Sequence, residues 1–520
     1  MIFIDIETHQ LYSDICMIQW SYGKEVHYKE YPSKKFVKKL LKGKTIIGHN
    51  LSYDLSTIQY EYDITLGDIE LHDTFYAARI AYPEAVSYGL KDLVDTGTEK
   101  LGSSFTTAEA KKRRAATPEQ IEYGINDIKA TMELFNRPEI QEAMKTKAYK
   151  VDVKSLRYSL EYQRNGLPVD QEALRAELVK VRETIAHNVK LLDGLNVQSP
   201  KQVTEALGVR KSDKDTLVAL IASGNELAQL VYDQRRLLKA RKMLESWDFE
   251  RLHTFFNPAG AGTSRFTSSG LKPTRDGYVN MQQISRQYQY MFKDTREGYV
   301  TFQVDFSTAE LLAAASLMNE PVMYNEIKDG LDLHIQVAKD IMGIAEPTKE
   351  DRSRAKAISF GKIFGMGVET FIDYAKVGYG VTFTRRESVN IHRAYHRKYK
   401  AISKFHKMIW NTYERKPTYS ALGHCTVGTR SGTQMINYAT QATISEATKV
   451  SIIRLCEKYP KAVKLISNTV HDSIYMSVKE KDFKKWSKRL QKAMTYGWEY
   501  VCRSDRMHFK DMKIGVEVER

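Results

Sequence analysis

The sequence predicts a multidomain α/β protein. At roughly 150 residues per domain, its 520 residues allow about three or four domains. From residue 1 to about residue 148, β-branched runs (2–6 and 45–47) alternate with helical stretches such as 34–41, a pattern typical of an α/β domain. The hydrophobic content of 42% is sufficient to build cores. No stretch reaches the roughly 18 uninterrupted apolar residues of a membrane span, so disordered, collagen-like and membrane classes are excluded.

The pattern changes twice in the rest of the chain. Residues 151–247 are nearly all helical in pattern, and their clearest breaks are Asn165-Gly166 and Ser199-Pro200. Strands are expected again at 300–305 and 465–478, with a helix-rich stretch between them. We therefore expect one sheet to be assembled from segments that are far apart in sequence.

Charge and cysteine content indicate the partner and the compartment. Lys and Arg number 79 against 64 Asp and Glu, a formal net charge of +15, and this surplus favours a polyanionic partner because neutralising phosphates releases counterions. The basic runs 34–44 and 111–114 are expected to be solvated faces.

The four cysteines form no CxxC pair, which argues against a disulfide framework or a structural zinc site and favours a reducing cytosol. Asp5 interrupts the region where a signal peptide needs an apolar core.

Acidic residues in the N-terminal domain indicate a metal-dependent site. Asp5 and Glu7 are two apart in a predicted strand, so both side chains leave the same face. A lone Asp-x-Glu is more often a strand edge, but here Asp54 follows another short strand, and Tyr123 and Asp127 are i,i+4 neighbours in a helical stretch. We expect an apolar stripe to dock that helix, formed by Ile121, Ile125, Ile128 and Met132. Such a cluster would bind two divalent cations, which stabilise the attacking and leaving oxygens in phosphodiester hydrolysis.

A second group of residues begins at Asp305, which ends an apolar strand and is followed by Phe306 and a helical turn that contains Glu310. Taken alone, an acid at a strand end is more often a cap. Residues 351–365 then open with charge and continue as a helix, with a stripe of two cations and two aromatic rings at Arg352, Lys356, Phe360 and Phe364. The cations could bind a triphosphate, and the flat aromatic rings could pack against a base. An ordinary amphipathic helix with snorkelling basic residues would show the same pattern.

The third segment, residues 465–478, has two apolar arms around a polar centre. This pattern predicts a β-hairpin that presents Asp472 at its turn. Asp305 and Asp472 would then lie at strand ends of one sheet, where together they could hold two magnesium ions for in-line phosphoryl transfer.

With these residues identified, the N-terminal part resembles the DEDD exonucleases of the tyrosine type. Asp5-Ile-Glu7-Thr8, Asp54 and Tyr123-xxx-Asp127 match the three motifs of those enzymes in order. The resemblance implies an RNase H-like 3′-5′ exonuclease domain in which Asp5, Glu7, Asp54 and Asp127 hold the metals and Tyr123 orients the attacking water.

The three later segments resemble motifs A, B and C of the family A, or DNA polymerase I-like, DNA polymerases. Further matches lie at 263–268, 280–284, 332–334 and 437–441. The resemblance implies a right-hand palm, fingers and thumb after the exonuclease. The expected boundaries are 1–148 for the exonuclease, 149–258 for the thumb and connecting helices, 259–325 for the first part of the palm, 326–425 for the fingers and 426–520 for the second part of the palm.

The polymerase resemblance also implies residue roles. The metal ligands would be Asp305, Phe306 and Asp472. The incoming nucleotide would contact Arg352, Lys356, His334, Phe360 and Phe364, with Glu310 crowding a ribose 2′-hydroxyl. Primer-template DNA would contact Arg265, Asn280, Asn437, Gln441 and His471. Each active site would use two Mg²⁺, with Mn²⁺ as a substitute.

The sequence departs from the family pattern at four positions. Ser473 replaces the glutamate that usually follows the motif C aspartate, Leu312 replaces an arginine, Phe364 replaces a tyrosine and Ser359 replaces an asparagine. Ser473, Leu312 and Phe364 leave open an alternative to the polymerase, a 3′-5′ exonuclease whose decayed polymerase half acts as a DNA clamp. An alternative from another class is a non-catalytic basic nucleic-acid-binding or scaffolding protein.

The expected partners are primer-template DNA and deoxynucleoside triphosphates, together with a replicative helicase, a primase or a single-strand-binding protein. The short helical segment and the exonuclease motifs beginning at residue 5 favour a compact replicative polymerase of phage type, acting as a monomer in the cytoplasm of a host and not at a membrane.

Overall fold

A mixed sheet forms the centre of the N-terminal part. The computed structural model describes residues 1–67, 69–95, 102–428 and 431–520. The strands of this sheet are β1 (Ile2–Gln10), β2 (Ser13–Ser21), β3 (Val26–Glu30), β4 (Thr45–Gly48) and β5 (Glu70–Asp73). They are ordered β3-β2-β1-β4-β5. β1, β4 and β5 run parallel and the remaining neighbours are antiparallel, so the expected mixed α/β character is confirmed.

Helices complete this part of the chain. Helix α1 matches the predicted stretch 34–41 at both ends. The basic run 111–114 is exposed, as predicted. The helices are α1 (Lys34–Leu41), α2 (Leu51–Tyr62), α3 (Thr74–Ala81), α4 (Leu90–Leu93), α5 (Ala108–Arg113), α6 (Pro118–Asn136) and α7 (Pro138–Lys145).

Helix α6 docks through a different face from the one predicted. Ile128 is fully buried, whereas Ile121, Ile125 and Met132 are only half-buried. The buried face instead includes Tyr123, Gly124 and Asp127. At Gly124 a Cβ atom would lie 1.9 Å from the Gln19 amide nitrogen of β2. The absence of a side chain there lets the helix approach the sheet closely and turn its polar side chains toward β1.

Helix α8 (Lys147–Tyr162) contributes to two hydrophobic cores. Tyr149, Leu156 and Leu160 pack in the core of the N-terminal sheet. Val151 and Tyr162 pack in the core of the second large sheet. Because both sets of residues lie on a single helix, α8 joins the two halves of the molecule directly.

The next segment is helical, as predicted. Helix α10 begins at the predicted break: the Ser199 side chain accepts a hydrogen bond from the backbone N–H of Gln202, and Pro200 occupies the first turn. The elements are β6 (Leu167–Pro168), α9 (Gln171–Leu191), α10 (Pro200–Leu207), α11 (Lys214–Ala222), α12 (Glu226–Glu245) and β7 (Arg251–Leu252), of which β6 and β7 pair.

A second large sheet is assembled from distant segments, as predicted. The remaining strands are β8 (Phe255–Asn257), β9 (Thr267–Ser269), β10 (Tyr299–Ser307), β11 (Thr418–Tyr419), β12 (Cys425–Thr426), β13 (Ile466–Val470), β14 (Ser473–Lys479) and β15 (Gly515–Glu519). The large sheet has the order β13-β14-β10-β15. The predicted hairpin is confirmed as β13 and β14, whereas β10 continues two residues beyond the predicted end at Asp305.

Helices lie between the strands of this sheet along the chain. They are α13 (Ala309–Leu317), α14 (Pro321–Lys328), α15 (Leu333–Asp340), α16 (Lys349–Ile363), α17 (Val368–Tyr379), α18 (Arg385–Lys398), α19 (Lys400–Thr412), α20 (Gly432–Lys458) and α21 (Phe483–Cys502). α20 and α21 pack against each other beside the sheet.

In the part of the chain that the structure describes, no helix combines the length and apolarity needed to cross a membrane. All four cysteines are buried free thiols.

A buried charge network connects α8 to α20. Asp152 of α8 accepts hydrogen bonds from His424 Nε2 at 2.7 Å and from Lys449 Nζ at 2.6 Å. His424 Nδ1 lies 2.7 Å from Glu446 Oε1. Lys449 also donates to the carbonyl oxygen of Ser264 at 2.6 Å. Each of the four charged side chains is at most 3% exposed, so the network satisfies buried charges by pairing them.

A second link joins the two halves of the chain at the loop that contains Ser264. Arg79 of α3 donates through its guanidinium to the carbonyl oxygens of Ala259 and Ala261, the latter at 2.6 Å. Ser264 itself adopts a left-handed φ of 54°. The N-terminal part therefore holds this loop from one side while Lys449 of α20 holds it from the other.

Candidate active sites

The predicted acidic cluster assembles beside β1. Asp5 and Glu7 project from one face of β1, and Asp127 reaches them from α6. One carboxylate oxygen from each of these three residues lies within 4.8 Å of the other two. Spacing of this kind suits oxygen ligands around a divalent cation.

Asp54 completes the cluster from α2. The backbone N–H of Ile6 donates to Asp54 Oδ1 at 3.1 Å, which ties the start of α2 to β1. Asn50 adopts a left-handed φ of 66° immediately before α2, and the Asp73 carboxylate accepts from its backbone N–H at 3.0 Å. This turn directs the first turn of α2, and with it Asp54, toward the other acids.

The electrostatics of this cluster fit cation binding. Burial, together with repulsion from Asp54, Glu7 and Asp127, raises the pKa of Asp5 well above its usual value. Burial and the neighbouring carboxylates likewise raise the pKa of Glu7, and burial raises the pKa of Asp54 to about 8. Carboxylates packed this closely repel each other when ionised unless a cation lies among them, so the four residues suit divalent metal.

Two further side chains enter this site. Tyr123 lies one turn before Asp127 on the same face of α6, as predicted, and is largely buried. Lys91 of α4 also reaches Asp127, and the sequence analysis missed it. A single lysine between Leu90 and Asp92 has no sequence feature that marks it, because its role depends on the packing of α4 against α6.

The second site is a cavity of about 510 Å³ at the edge of the large sheet. It brings together most of the residues predicted to bind metal and nucleotide. Its lining includes Asp305, Phe306, His334, Arg352, Lys356, Phe360, His471, Asp472, Ser473, Glu517 and Glu519.

Strand pairing explains why Asp305 and Asp472 meet there. β10 and β14 are antiparallel, with Val304 opposite Ile474. Asp305 therefore lies at the level of the two-residue turn between β13 and β14, which contains His471 and Asp472. His471 adopts a left-handed φ of 55°, and its N–H faces Gln282 Oε1 at 3.4 Å. A carboxylate on β10 and another in the neighbouring turn suit the predicted pair of cations.

Phe306 contributes to this site through its backbone. Its ring is 5% exposed and packs in the core, so its carbonyl oxygen is the atom available as a ligand. Its N–H donates to Asp305 Oδ1 at 2.9 Å.

Helix α16 presents three of its four predicted residues to the cavity. The helix begins at a capping box formed by Thr348 and Asp351. Arg352 Nε donates to Asp332 at 2.7 Å, and Lys356 and Phe360 line the cavity beyond it. Phe364 does not line the cavity. It follows the last residue of α16 and packs against the neighbouring helical core, because the four-residue spacing drifts around the helix.

His334 of α15 lies beside α16 and is held in its neutral form. Burial lowers its pKa to about 4, and the nearby cations Arg352 and Lys356 also oppose its protonation. Its Nδ1 lies 3.0 Å from the Ser359 hydroxyl. The Ser359 hydroxyl thus orients the imidazole. The polymerase family that the sequence resembles usually has an asparagine at this position.

Glu310 lies beside the cavity but does not line it. Its carboxylate is 3.9 Å from the Arg265 guanidinium. Burial raises the pKa of Glu310, Arg265 lowers it and Asp472 raises it again. Glu310 is therefore a close neighbour of both Arg265 and Asp472.

The other predicted DNA-binding residues are less concentrated. Asn280 accepts a hydrogen bond from Ser268 at 2.9 Å. Asn437 and Gln441 lie half-buried on α20 and do not line the cavity. Only His471 of the predicted DNA contacts lies in the cavity lining.

Glu517 is a second residue that the sequence analysis missed. It lies opposite Asp305 in the β10–β15 pairing and lines the same cavity, and its Oε1 accepts from the Ser307 hydroxyl. It lies 44 positions after Ser473, the position at which the resembled family usually has a glutamate. Its place in the cavity is therefore revealed by the strand order and not by the motif.

The fold and the two sites define a nucleic-acid polymerase with an attached nuclease domain. Residues 167–503 match the family described as DNA polymerase family A, and residues 1–139 match the family described as 3′-5′ exonuclease. The chain belongs to DNA polymerase family A and carries an N-terminal 3′-5′ exonuclease domain.

Relatives come from bacteria and from phages. DNA polymerase I of Aquifex aeolicus is 27% identical over 507 residues, which cover 88% of this chain and 85% of that protein. DNA polymerase I of Helicobacter pylori strain 26695 is 22% identical over 88% of this chain, which spans about half (53%) of that protein. The DNA polymerase of Mycobacterium phage D29 is 29% identical over 52% of this chain and 44% of that protein.

A solved structure has the same fold. It is the POL domain of Pol1 from M. smegmatis in complex with DNA primer-template and dNTP, which superposes with a TM-score of 0.74 at 18% identity and covers 100% of this chain and 94% of that one.

Proposed function

We propose that the protein is a template-directed DNA polymerase that extends a primer 3′-hydroxyl and removes mispaired 3′ ends with its exonuclease. The observation that carries the proposal is the cavity in which Asp305 and Asp472 face Arg352, Lys356 and Phe360. This combination supports the proposal because two carboxylates that suit metal ions lie beside groups that suit a triphosphate and a base.

In the polymerase site, the protein mainly binds and orients the reactants. Arg352 and Lys356 bind the triphosphate, and Arg352 exchanges Asp332 for a phosphate oxygen. Phe360 packs against the base and sugar, while Phe364 supports the end of α16. Glu310 limits the space at the ribose 2′ position, held by Arg265.

Two Mg²⁺ ions, replaceable by Mn²⁺, would be held in each site, by Asp305, Asp472 and the Phe306 carbonyl in one and by Asp5, Glu7, Asp54 and Asp127 in the other. Bound there, they supply charge stabilisation for the attacking and leaving oxygens. Tyr123 orients the water that attacks the terminal phosphodiester.

The net charge of +15 supports binding of DNA. Arg265, Asn280, Asn437, Gln441 and His471 would contact the primer-template. The domains are proposed at 1–148, 149–258, 259–325, 326–425 and 426–520, as exonuclease, thumb, palm, fingers and palm.

We place the protein in replication as a monomer in a host cytoplasm, of phage type, working with a helicase, a primase or a single-strand-binding protein. Similarity to the phage polymerase supports this setting, and the bacterial relatives support the alternative of a cellular origin.

The departures at Ser473, Leu312 and Phe364 favour a second candidate, an exonuclease whose polymerase half only clamps DNA. Leu312 and Phe364 pack with their own hydrophobic cores.

The test uses an end-labelled primer-template with Mg²⁺, with and without the four deoxynucleotides. We expect extension with nucleotides and shortening without them. Asp472→Asn should abolish extension and leave shortening intact, and Asp5→Ala with Glu7→Ala should do the reverse. Asp505→Asn, an exposed site, serves as control and should change neither activity. If the exonuclease-dead variant does not extend the primer, the clamp candidate replaces the polymerase.

A further inference from the structure

Lys91 lies inside the acidic cluster of the exonuclease domain. Its Nζ is 3.3 Å from Asp127 Oδ1 and 3.4 Å from the centroid of the Tyr123 ring. Its side chain is only 10% exposed. The ammonium is therefore held between a carboxylate and an aromatic face, both of which attract a cation.

The position of Lys91 follows from local packing. Helix α4 packs on α6, and Tyr123 and Asp127 share the face of α6 that receives the lysine. Burial raises the pKa of Asp127 and Lys91 opposes that rise. Lys91 likewise opposes the raised pKa of Asp5 and of Glu7, so its charge acts on three of the four carboxyl groups.

The balance of charges in the proposed site indicates what the Lys91 ammonium would neutralise. Four ionised carboxylates are balanced by two divalent cations, and a phosphodiester then adds one further negative charge. The Lys91 ammonium carries a positive charge that would balance the phosphate. In the absence of DNA the same ammonium pairs with Asp127.

We propose that Lys91 is a further catalytic residue of the exonuclease, which leaves Asp127 and donates a hydrogen bond to a non-bridging oxygen of the scissile phosphate. A water molecule gives up a proton to solvent as its oxygen bonds to phosphorus, the bond from phosphorus to O3′ breaks, and O3′ takes up a proton from solvent as the nucleoside monophosphate leaves. Lys91 stays protonated and stabilises the negative charge that builds up on the phosphate. This inference rests on the proposed exonuclease function.

The first measurement is single-turnover degradation of a 5′-labelled single strand by the full chain. Lys91→Met keeps the length of the side chain but removes its charge, and we expect the single-turnover rate constant to fall about 100-fold, the scale for loss of one donor to a developing oxyanion. Lys91→Arg should recover part of that loss. Lys129→Met, an exposed lysine on α6 that contacts Asn126, is the matched control and should degrade DNA at the parent rate.

The second measurement is calorimetric titration with Mn²⁺ without DNA, in an Asp305→Asn, Asp472→Asn background that disables the polymerase site. Lys91→Met should bind Mn²⁺ as tightly as its parent or more tightly, because a competing positive charge is gone. Weaker binding would mean that Lys91 only holds the carboxylates in place, and would overturn the inference.

An unchanged degradation rate in Lys91→Met would also overturn it, while leaving the exonuclease function intact. If the parent chain itself does not shorten single strands, the proposed exonuclease function fails and the role of Lys91 fails with it.

Discussion

The substitution Asp152→Asn tests the buried charge network that connects α8 to α20. It removes the negative charge that His424 and Lys449 share, at nearly constant volume. The asparagine amide adds donors where both neighbours already donate. The variant therefore leaves at least one buried cation without a charged partner.

The expected loss of stability follows from the burial of the network. His424, Lys449 and Asp152 are each at most 3% exposed, and removing one partner of such a buried pair costs about 3–5 kcal/mol. For the cooperative unit that contains α20, this corresponds to a fall of about 6–20 °C in the midpoint of the first thermal transition.

The loss should depend on pH in a defined direction. Burial alone would lower the pKa of His424, but Asp152 and Glu446 outweigh it and raise that pKa above 6.5. The stability supplied by the charged histidine is therefore fully present below pH 6.5 and is lost as the pH rises through the folded-state pKa. Asp152→Asn should accordingly cost more at about pH 5.5 than at about pH 9.

Differential scanning calorimetry of the full chain at both pH values measures this loss, with Asp505→Asn as the exposed control. A midpoint for Asp152→Asn within about 2 °C of the parent at pH 5.5, equivalent to less than about 1 kcal/mol, would refute the reasoning.

Three other predictions concern titration and the polymerase site. Burial lowers the pKa of His396 and of His406 to about 4, so stability should be lost as the pH falls from 6.5 toward 4, and His406→Gln should flatten that loss in acid melting curves. Glu517→Gln should raise the Mg²⁺ concentration needed for half-maximal extension about 10-fold or more; an unchanged titration would exclude Glu517 from the site. Glu310→Ala should raise the ratio of ribonucleotide to deoxynucleotide incorporation about 10-fold or more, and an unchanged ratio would contradict its place at the ribose.

Local patterns predicted the elements well where one segment holds all the information. The apolar spacing and the Ser33 cap define α1 at both ends. The two apolar arms around His471 and Asp472 define the β13–β14 hairpin. Asp5 and Glu7, two apart in a strand, and Tyr123 and Asp127, four apart in a helix, were assigned correctly to single faces for the same reason.

Features that depend on contacts between distant segments were missed or misplaced. The docking face of α6 depends on the fit of Gly124 against Gln19 of β2. The position of Phe364 outside the cavity depends on where α16 ends, and Lys91 and Glu517 become site residues only through the packing of α4 and the order of the strands. None of these features has a local sequence pattern.

The two-faced helix α8 also affects how this protein could be recombined with its relatives. An exchange that replaced the N-terminal domain without α8 would separate Tyr149 from the backbone of Asp73, to which its hydroxyl is hydrogen-bonded at 3.0 Å. An exchange that included α8 would instead place the donor's residue opposite His424 and Lys449, which are paired with Asp152 in this chain. An exchange of the exonuclease domain that includes α8 therefore preserves the network only if the donor supplies an acid at that position.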